Sequence, residues 1–144
     1  MAGRRTPSPT TNVEGWGVEP GKRVWVGGHN LDARREIELH LAGTERPPTG
    51  PIDLAFVAPR STDEAVYFAG KLRSRLAPTG LVWIVYPNPC SPREAEFTGD
   101  FEEMVVALFE RGFSEAGRAP VGDNYTSTAF QSAGLSAFET DIAS

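Results

Sequence analysis

The chain has 144 residues, of which 40% are hydrophobic and 23% charged, so it is long enough for one globular domain. Its formal charge of −5 and its scattered basic residues argue against a nucleic acid partner, which would require a clustered basic surface. The single cysteine excludes an internal disulfide, and no apolar run is long enough to cross a membrane. We therefore expect a cytoplasmic protein with no membrane partner.

Composition divides the chain into three segments. Residues 1–13 are rich in proline, threonine and arginine and are predicted to be a disordered tail. Residues 14–131 contain the apolar patterns of a domain, and residues 132–144 form a predicted C-terminal tail. Trp16 and Val18, which precede the first strand, are expected to pack under the domain.

The first strand is predicted at residues 24–26, an apolar run before two glycines. A helix is predicted over residues 31–43, with Asn30 or Asp32 capping its start. Its apolar side consists of three large residues near helical spacing, Leu31, Ile37 and Leu41.

A second strand and helix are predicted between residues 52 and 76. Ser61 or Thr62 caps this helix, and Glu64 is placed for a capping box. Apolar residues recur at helical spacing as far as Leu76, before Pro78 and Gly80 end the helix.

The third strand is predicted at residues 81–87 and is followed by a proline-containing loop. The next helix, over residues 100–113, has an apolar stripe of five residues, Phe101, Met104, Val105, Leu108 and Phe109. Two further strands are predicted on either side of a turn at residues 122–124. The alternating order predicts an α/β fold whose parallel sheet ends in an antiparallel hairpin.

Four segments resemble class I methyltransferases. EPGKRVWVGGHN resembles their first motif, PIDLAFVAP resembles their fourth strand, and LRSRLAPTGLVWIVYPNP resembles their helix leading into the fifth strand. ERGFSEAGRAPVGDNYTSTAFQ resembles their closing hairpin. The resemblance covers roughly residues 18–131. It implies a Rossmann-like three-layer sandwich with a shortened parallel sheet, of about three strands, and a C-terminal antiparallel hairpin.

The chain also departs from that family. Its glycine loop reads Gly27-Gly28-His29-Asn30-Leu31 instead of G-x-G-x-G, and two strand-helix units, with the acidic residue that binds ribose, are absent. The chain most resembles small bacterial proteins of unknown function with a truncated methyltransferase-like fold. We therefore predict no cofactor, and S-adenosylmethionine (SAM) is not expected as a ligand.

The shortened sheet leaves the first strand at an edge. An exposed edge strand tends to be covered by a loop or paired with another chain. Residues 44–51 could provide the cover, but the prediction leans towards a homodimer that pairs through the first strand.

Ligands in open α/β sheets bind beyond the carboxyl ends of the strands. This rule selects three candidate catalytic residues, His29, Asp32 and Tyr86. His29 is the leading one, because a histidine can transfer protons near neutral pH. His40 lies within a helix and is interpreted as structural. No pattern of metal ligands is present.

Seven further residues at the same strand ends are candidate ligand-binding residues. The glycines could present backbone N–H groups to an anion, and the arginine could bind a carboxylate or phosphate. The seven are Gly27, Gly28, Asn30, Arg60, Ser61, Asn88 and Cys90.

Three functions follow from these observations. The first is a small-molecule-binding domain that has lost methyl transfer, acting as an accessory or biosynthetic enzyme through acid–base chemistry at the strand ends. The second is a non-catalytic interaction or regulatory module. The third is a minimal SAM-dependent methyltransferase that acts as a dimer.

Overall fold

The computed structural model describes residues 16, 18, 22–41, 50–89 and 91–132. The predicted N-terminal tail, residues 1–13, lies outside the described residues. The predicted C-terminal tail, residues 132–144, also lies outside them except for residue 132. The elements, in chain order, are β1 (Val24–Gly27), α1 (Leu31–Leu41), β2 (Ile52–Val57), α2 (Thr62–Arg73), β3 (Leu76–Pro87), a 3₁₀ turn (Glu94–Glu96), α3 (Phe101–Glu110), β4 (Ser114–Val121) and β5 (Tyr125–Gln131). In this part of the chain, every helix is too short or too polar to cross a lipid bilayer.

The strands form one five-stranded sheet in the order β1-β2-β3-β5-β4. β1, β2 and β3 are parallel, whereas β5 and β4 are antiparallel and form the predicted hairpin. The expected number of about three strands therefore describes the parallel part, and the whole sheet has five. This architecture is consistent with a truncated methyltransferase-like fold. Among the described residues β1 pairs only with β2, and a dimer through its other edge stays a prediction.

The sheet has an apolar core on each face, because β2 and β3 are apolar at successive positions and successive side chains point to opposite faces. On one face α1 packs Ile37 and Leu41 over Phe56. On the other face α2 and α3 pack over Ile84 and its neighbours, with Met104 at the centre of the α3 contact. Helices on both sides of the sheet make the three predicted layers.

Trp16 and Val18 are buried, as the sequence predicted. The indole N–H of Trp16 donates a hydrogen bond to the Ser127 hydroxyl at 3.0 Å, and that hydroxyl donates to the Ala119 carbonyl at 2.7 Å. Trp16, which precedes β1, is therefore joined to the hairpin that ends the sheet.

Two predicted core positions and one helix boundary differ in the structure. Leu31 is exposed, because Ala33, Ile37 and Leu41 define the buried face and Leu31 lies about a third of a turn from the centre of that face. Phe109 is exposed for the same reason, since it follows buried Leu108 by one residue. The helix predicted to reach Leu76 ends at Arg73, because Leu76 already pairs with Ile52 in the sheet.

Candidate active site at the carboxyl ends of the parallel strands

The three parallel strands end at the same side of the sheet, at Gly27, Val57 and Pro87. The turns that follow bring α1, α2 and the segment before α3 together. We call this side of the domain the carboxyl edge. It is where ligands bind in other open α/β sheets.

The turn after β1 requires glycine at residue 28. Gly28 has a φ of 108°, and a Cβ atom there would lie 2.2 Å from the Ala58 carbonyl oxygen. Asn30, two residues after Gly28, donates its backbone N–H to that same oxygen at 3.0 Å. Gly28 is therefore required because this turn packs closely against the end of β2.

Asn30 is buried and joins two elements. Its side-chain oxygen accepts a hydrogen bond from the Ala33 N–H at 3.1 Å, which caps α1 as one of the two predicted alternatives. Its amide nitrogen donates to Glu96 at 3.1 Å. Both ends of the side chain are thus bonded within the protein.

His29 and Glu64 form a carboxylate–histidine pair. The Nδ1 atom of His29 contacts one carboxylate oxygen of Glu64. The other oxygen accepts two backbone N–H groups, from Arg60 at 2.8 Å and from His29 at 3.2 Å. Ser61 caps α2 by accepting the Glu64 N–H at 3.1 Å. The predicted capping box is therefore only half present, because the Glu64 side chain bonds the residue before the cap and the turn after β1.

The exposure of the two partners differs sharply. The side chain of His29 is 69% exposed, whereas that of Glu64 is 15% exposed. The rings of His29 and Phe68 meet edge to face at 5.7 Å, which limits how the imidazole can turn. The pair is thus held from the inside while the rest of the imidazole ring faces solvent.

The electrostatics keep Glu64 ionised. Burial acts to raise the pKa of Glu64, but the hydrogen bonds from the His29 ring and from the two backbone N–H groups outweigh it and lower this pKa overall. An ionised carboxylate next to Nδ1 favours the tautomer that carries its proton there, which leaves a lone pair on the Nε2 atom. Such a ring can accept a proton from a bound molecule.

Glu96 joins a second group of residues at the carboxyl edge. One carboxylate oxygen accepts the Tyr125 hydroxyl at 2.7 Å in addition to the Asn30 amide, and the other accepts Arg93 Nη1 at 3.0 Å. The same Arg93 nitrogen donates to Asp32 at 3.1 Å. These bonds fasten the 3₁₀ turn to the start of α1 and to the start of β5.

The two acids in this group are shifted in opposite directions. Burial, and then the hydrogen bond to Glu96, raise the pKa of Tyr125 well above its usual value. Burial also acts to raise the pKa of Glu96, but the hydrogen bonds from Tyr125, Asn30 and Arg93 outweigh it and lower this pKa. The tyrosine therefore stays a donor and the glutamate stays an acceptor over the physiological pH range.

Several predicted site residues lie elsewhere or have structural partners. Tyr86 is buried on the α3 side, where its hydroxyl bonds Thr128 at 3.1 Å, and burial raises the pKa of Tyr86. The Asn88 amide donates to the Asp123 carbonyl of the hairpin turn at 3.2 Å. Cys90 lies outside the described residues.

Sequence reasoning missed three members of the carboxyl edge, Arg93, Glu96 and Tyr125. No local pattern marks them, because Glu96 is 66 positions from Asn30 and 29 from Tyr125. Glu64 did carry a signal, namely its capping-box position. That signal gave its place on α2 but not its contact with His29.

No protein-family model matches the chain, and no curated protein matches it in sequence. Among solved structures, the LepI complex with SAM is 12% identical, with a TM-score of 0.48 over 78% of this chain and 37% of LepI. A putative methyltransferase from Thermoplasma acidophilum is 15% identical, with a TM-score of 0.43 over 79% of this chain and 67% of that one. The chain thus spans less than half the length of LepI.

These comparisons correct one prediction. A LepI variant in complex with SAH and a substrate analogue is also similar, at 9% identity and a TM-score of 0.46 over 90% of this chain and 49% of that one. The expectation that SAM is not a ligand is therefore contradicted, because two of these similar structures were solved with SAM or SAH bound.

Proposed function

We propose that the chain is a small-molecule-binding domain that performs acid–base chemistry at the carboxyl edge, with His29 as the group that takes up and returns a proton. The pair formed by His29 and Glu64 carries this proposal. Glu64 is a positioning residue: it orients the ring and stabilises the imidazolium that forms when Nε2 accepts a proton. The exposed ring is open to a bound molecule.

The charge beside the pair supports an anionic substrate. The backbone N–H groups of Arg60 and His29 donate to the same Glu64 carboxylate oxygen, so the two residues lie side by side. Its side chain is exposed and forms no ion pair among the described residues. A guanidinium in this position can bind a carboxylate or phosphate group in a bidentate manner.

SAM enters this proposal as a ligand to be tested. Asp32 is about half exposed at the start of α1, and its carboxylate could accept hydrogen bonds from the hydroxyl groups of a ligand. The proposed chemistry uses only the protein's own proton-transfer groups and involves no methyl transfer. Loss of methyl transfer therefore stays a prediction, which a methylation assay with labelled SAM would contradict.

The first experiment measures the tautomer of His29 by ¹⁵N-detected imidazole NMR. We expect Nδ1 to carry the proton at neutral pH in the wild type, and the Nε2-protonated form to increase in Glu64→Gln. His40 is the internal control, because its Nδ1 faces the Glu36 carbonyl at 2.9 Å and is independent of Glu64. A ring protonated mainly on Nε2 in the wild type would contradict the pair.

The second experiment looks for the ligand. Native mass spectrometry tests for a co-purified molecule, and NMR titrations use phosphate, small carboxylates, SAM and SAH. We expect shifts centred on His29 and Arg60 and at least tenfold weaker binding in Arg60→Gln. Once a substrate is known, His29→Ala should lower turnover by about 10²–10⁴-fold, the usual contribution of acid–base catalysis. Shifts that avoid the carboxyl edge, or unchanged turnover, would overturn the proposal.

A further inference from the structure

The outward surface formed by α2 and α3, away from the sheet, carries exposed apolar side chains. Two of them are large: Tyr67 is 57% exposed and Val106 is 56% exposed. A helix that covers a sheet normally turns polar residues towards water, because its apolar residues lie on the opposite stripe. We call this surface, between and along the two helices, the α2–α3 face.

The α2–α3 face has two shallow grooves. One runs between the helices and is lined by Val66, Tyr67 and Ala107 among others. The second runs along α3 and is lined by Val106 and, again, Ala107. The small side chain of Ala107 therefore separates two depressions that could each receive a side chain of a partner.

Five carboxylates line the same grooves, Asp63, Asp100, Glu102, Glu103 and Glu110. Within the described residues none of them forms an ion pair, and Arg111 is the one basic residue of the lining. Lys71 is nearby but lies over the Tyr67 ring, with 5.4 Å from its nitrogen to the ring centre. The negative charge of this surface is thus largely uncompensated by the part of the chain that the structure describes.

We infer that the α2–α3 face binds an amphipathic helical segment of a partner protein, with apolar side chains that fill the grooves and lysines or arginines that meet the carboxylates. A second copy of the chain fits less well, because a two-fold contact would place the same carboxylates opposite each other. This inference does not depend on the proposed chemistry, since it uses none of its residues.

The test uses two synthetic 18-residue amphipathic helices, one of leucine and lysine and one of leucine and glutamate. We expect the lysine peptide to bind, and binding to weaken at least tenfold in Val106→Ser and in the double variant Glu103→Gln, Glu110→Gln. Matched controls on α1 are Leu39→Ser and Glu38→Gln, both at exposed positions on the opposite side of the sheet, and these should bind as the wild type does. Circular dichroism checks that each variant is folded.

Three results would overturn the inference. The first is equal binding of the two peptides. The second is an equal loss of affinity in the α1 controls and the α3 variants, which would indicate general attraction to a negative protein. The third is self-association of the wild type, seen by analytical ultracentrifugation, that disappears in Val106→Ser, because a second copy would then be the occupant. NMR shifts confined to α2 and α3 on addition of the lysine peptide would support the inference.

Discussion

The two glutamates at the carboxyl edge, Glu64 and Glu96, differ in what holds them. Both are partly buried, and hydrogen bonds lower the pKa of both against the effect of burial. Glu64 is bonded by two backbone N–H groups and by an imidazole that is mostly exposed. Glu96 is bonded by three side chains, from the α1 start, the 3₁₀ turn and β5.

This difference supports the proposal that the pair at Glu64 is the reactive group and the network at Glu96 a structural one. Both carboxylate oxygens of Glu96 accept hydrogen bonds from side chains of the protein. This network can therefore hold the loop, but it leaves few free polar groups for a ligand. The pair at Glu64 ends in a ring that is mostly open to solvent. Two glutamates whose pKa is lowered in both cases therefore support different roles, and the geometry of the partners distinguishes them.

The largest effect is expected for Glu96→Ala. This change leaves the buried Asn30 amide and Tyr125 hydroxyl without their acceptor, and an unpaired buried group costs roughly 1–3 kcal/mol. We expect the free energy of unfolding to fall by about 2–3 kcal/mol, measured by urea denaturation. Glu96→Gln, which keeps an acceptor oxygen, is the control and should lose less. A loss equal to that of Glu64→Gln would remove the distinction drawn above.

An intermediate effect is expected in the pH dependence of the free energy of unfolding. Because the pKa of each glutamate is lower in the folded protein than its unfolded value near 4.5, the unfolded chain binds more protons in acid. The stabilisation is therefore present above pH 4.5 and is lost as the pH falls through the folded values. Glu96→Gln and Glu64→Gln should each flatten this acid-induced loss in pH-dependent urea unfolding, and Glu38→Gln is the surface control. Parallel curves for all four proteins would contradict the assignment.

The smallest effect is expected for Arg93→Gln. Arg93 is 46% exposed and its partner Asp32 is 49% exposed, so their ion pair is screened by solvent and contributes little. Asn30 and Tyr125 still hold Glu96 in this variant. Thermal denaturation at low and high salt measures the difference. A loss as large as that of Glu96→Ala would show that the arginine, and not the two buried partners, fixes the loop.

The sequence predicted the elements that local chemistry determines. Asn30 and Ser61 cap α1 and α2, the hairpin turns at residues 122–124, and the parallel strands follow in the expected order. The prediction failed for the orientation of some side chains, such as Phe109. Because α3 is apolar around most of its circumference, periodicity alone cannot identify the apolar residues that face the sheet.

The candidate site was predicted only where it is local. His29 and Arg60 follow strands whose ends must meet, so topology was sufficient to place them at one edge. Glu96 and Tyr125 depend on the path of a loop and on the position of the hairpin, which no spacing in the sequence encodes. Tyr86 was misleading for a related reason: it lies near the end of a strand, but its side chain points to the α3 face.

The hydrogen bond between Trp16 and Ser127 has a consequence for the order of folding. The two residues are 111 positions apart, so the enclosed segment must close before either side chain is buried. Contacts of such long sequence separation form slowly. During synthesis Trp16 leaves the ribosome 111 residues before Ser127, so it must wait for β5 before its indole N–H finds its native acceptor. An early residue is therefore among the last to become native, and its fluorescence would report the completion of the domain.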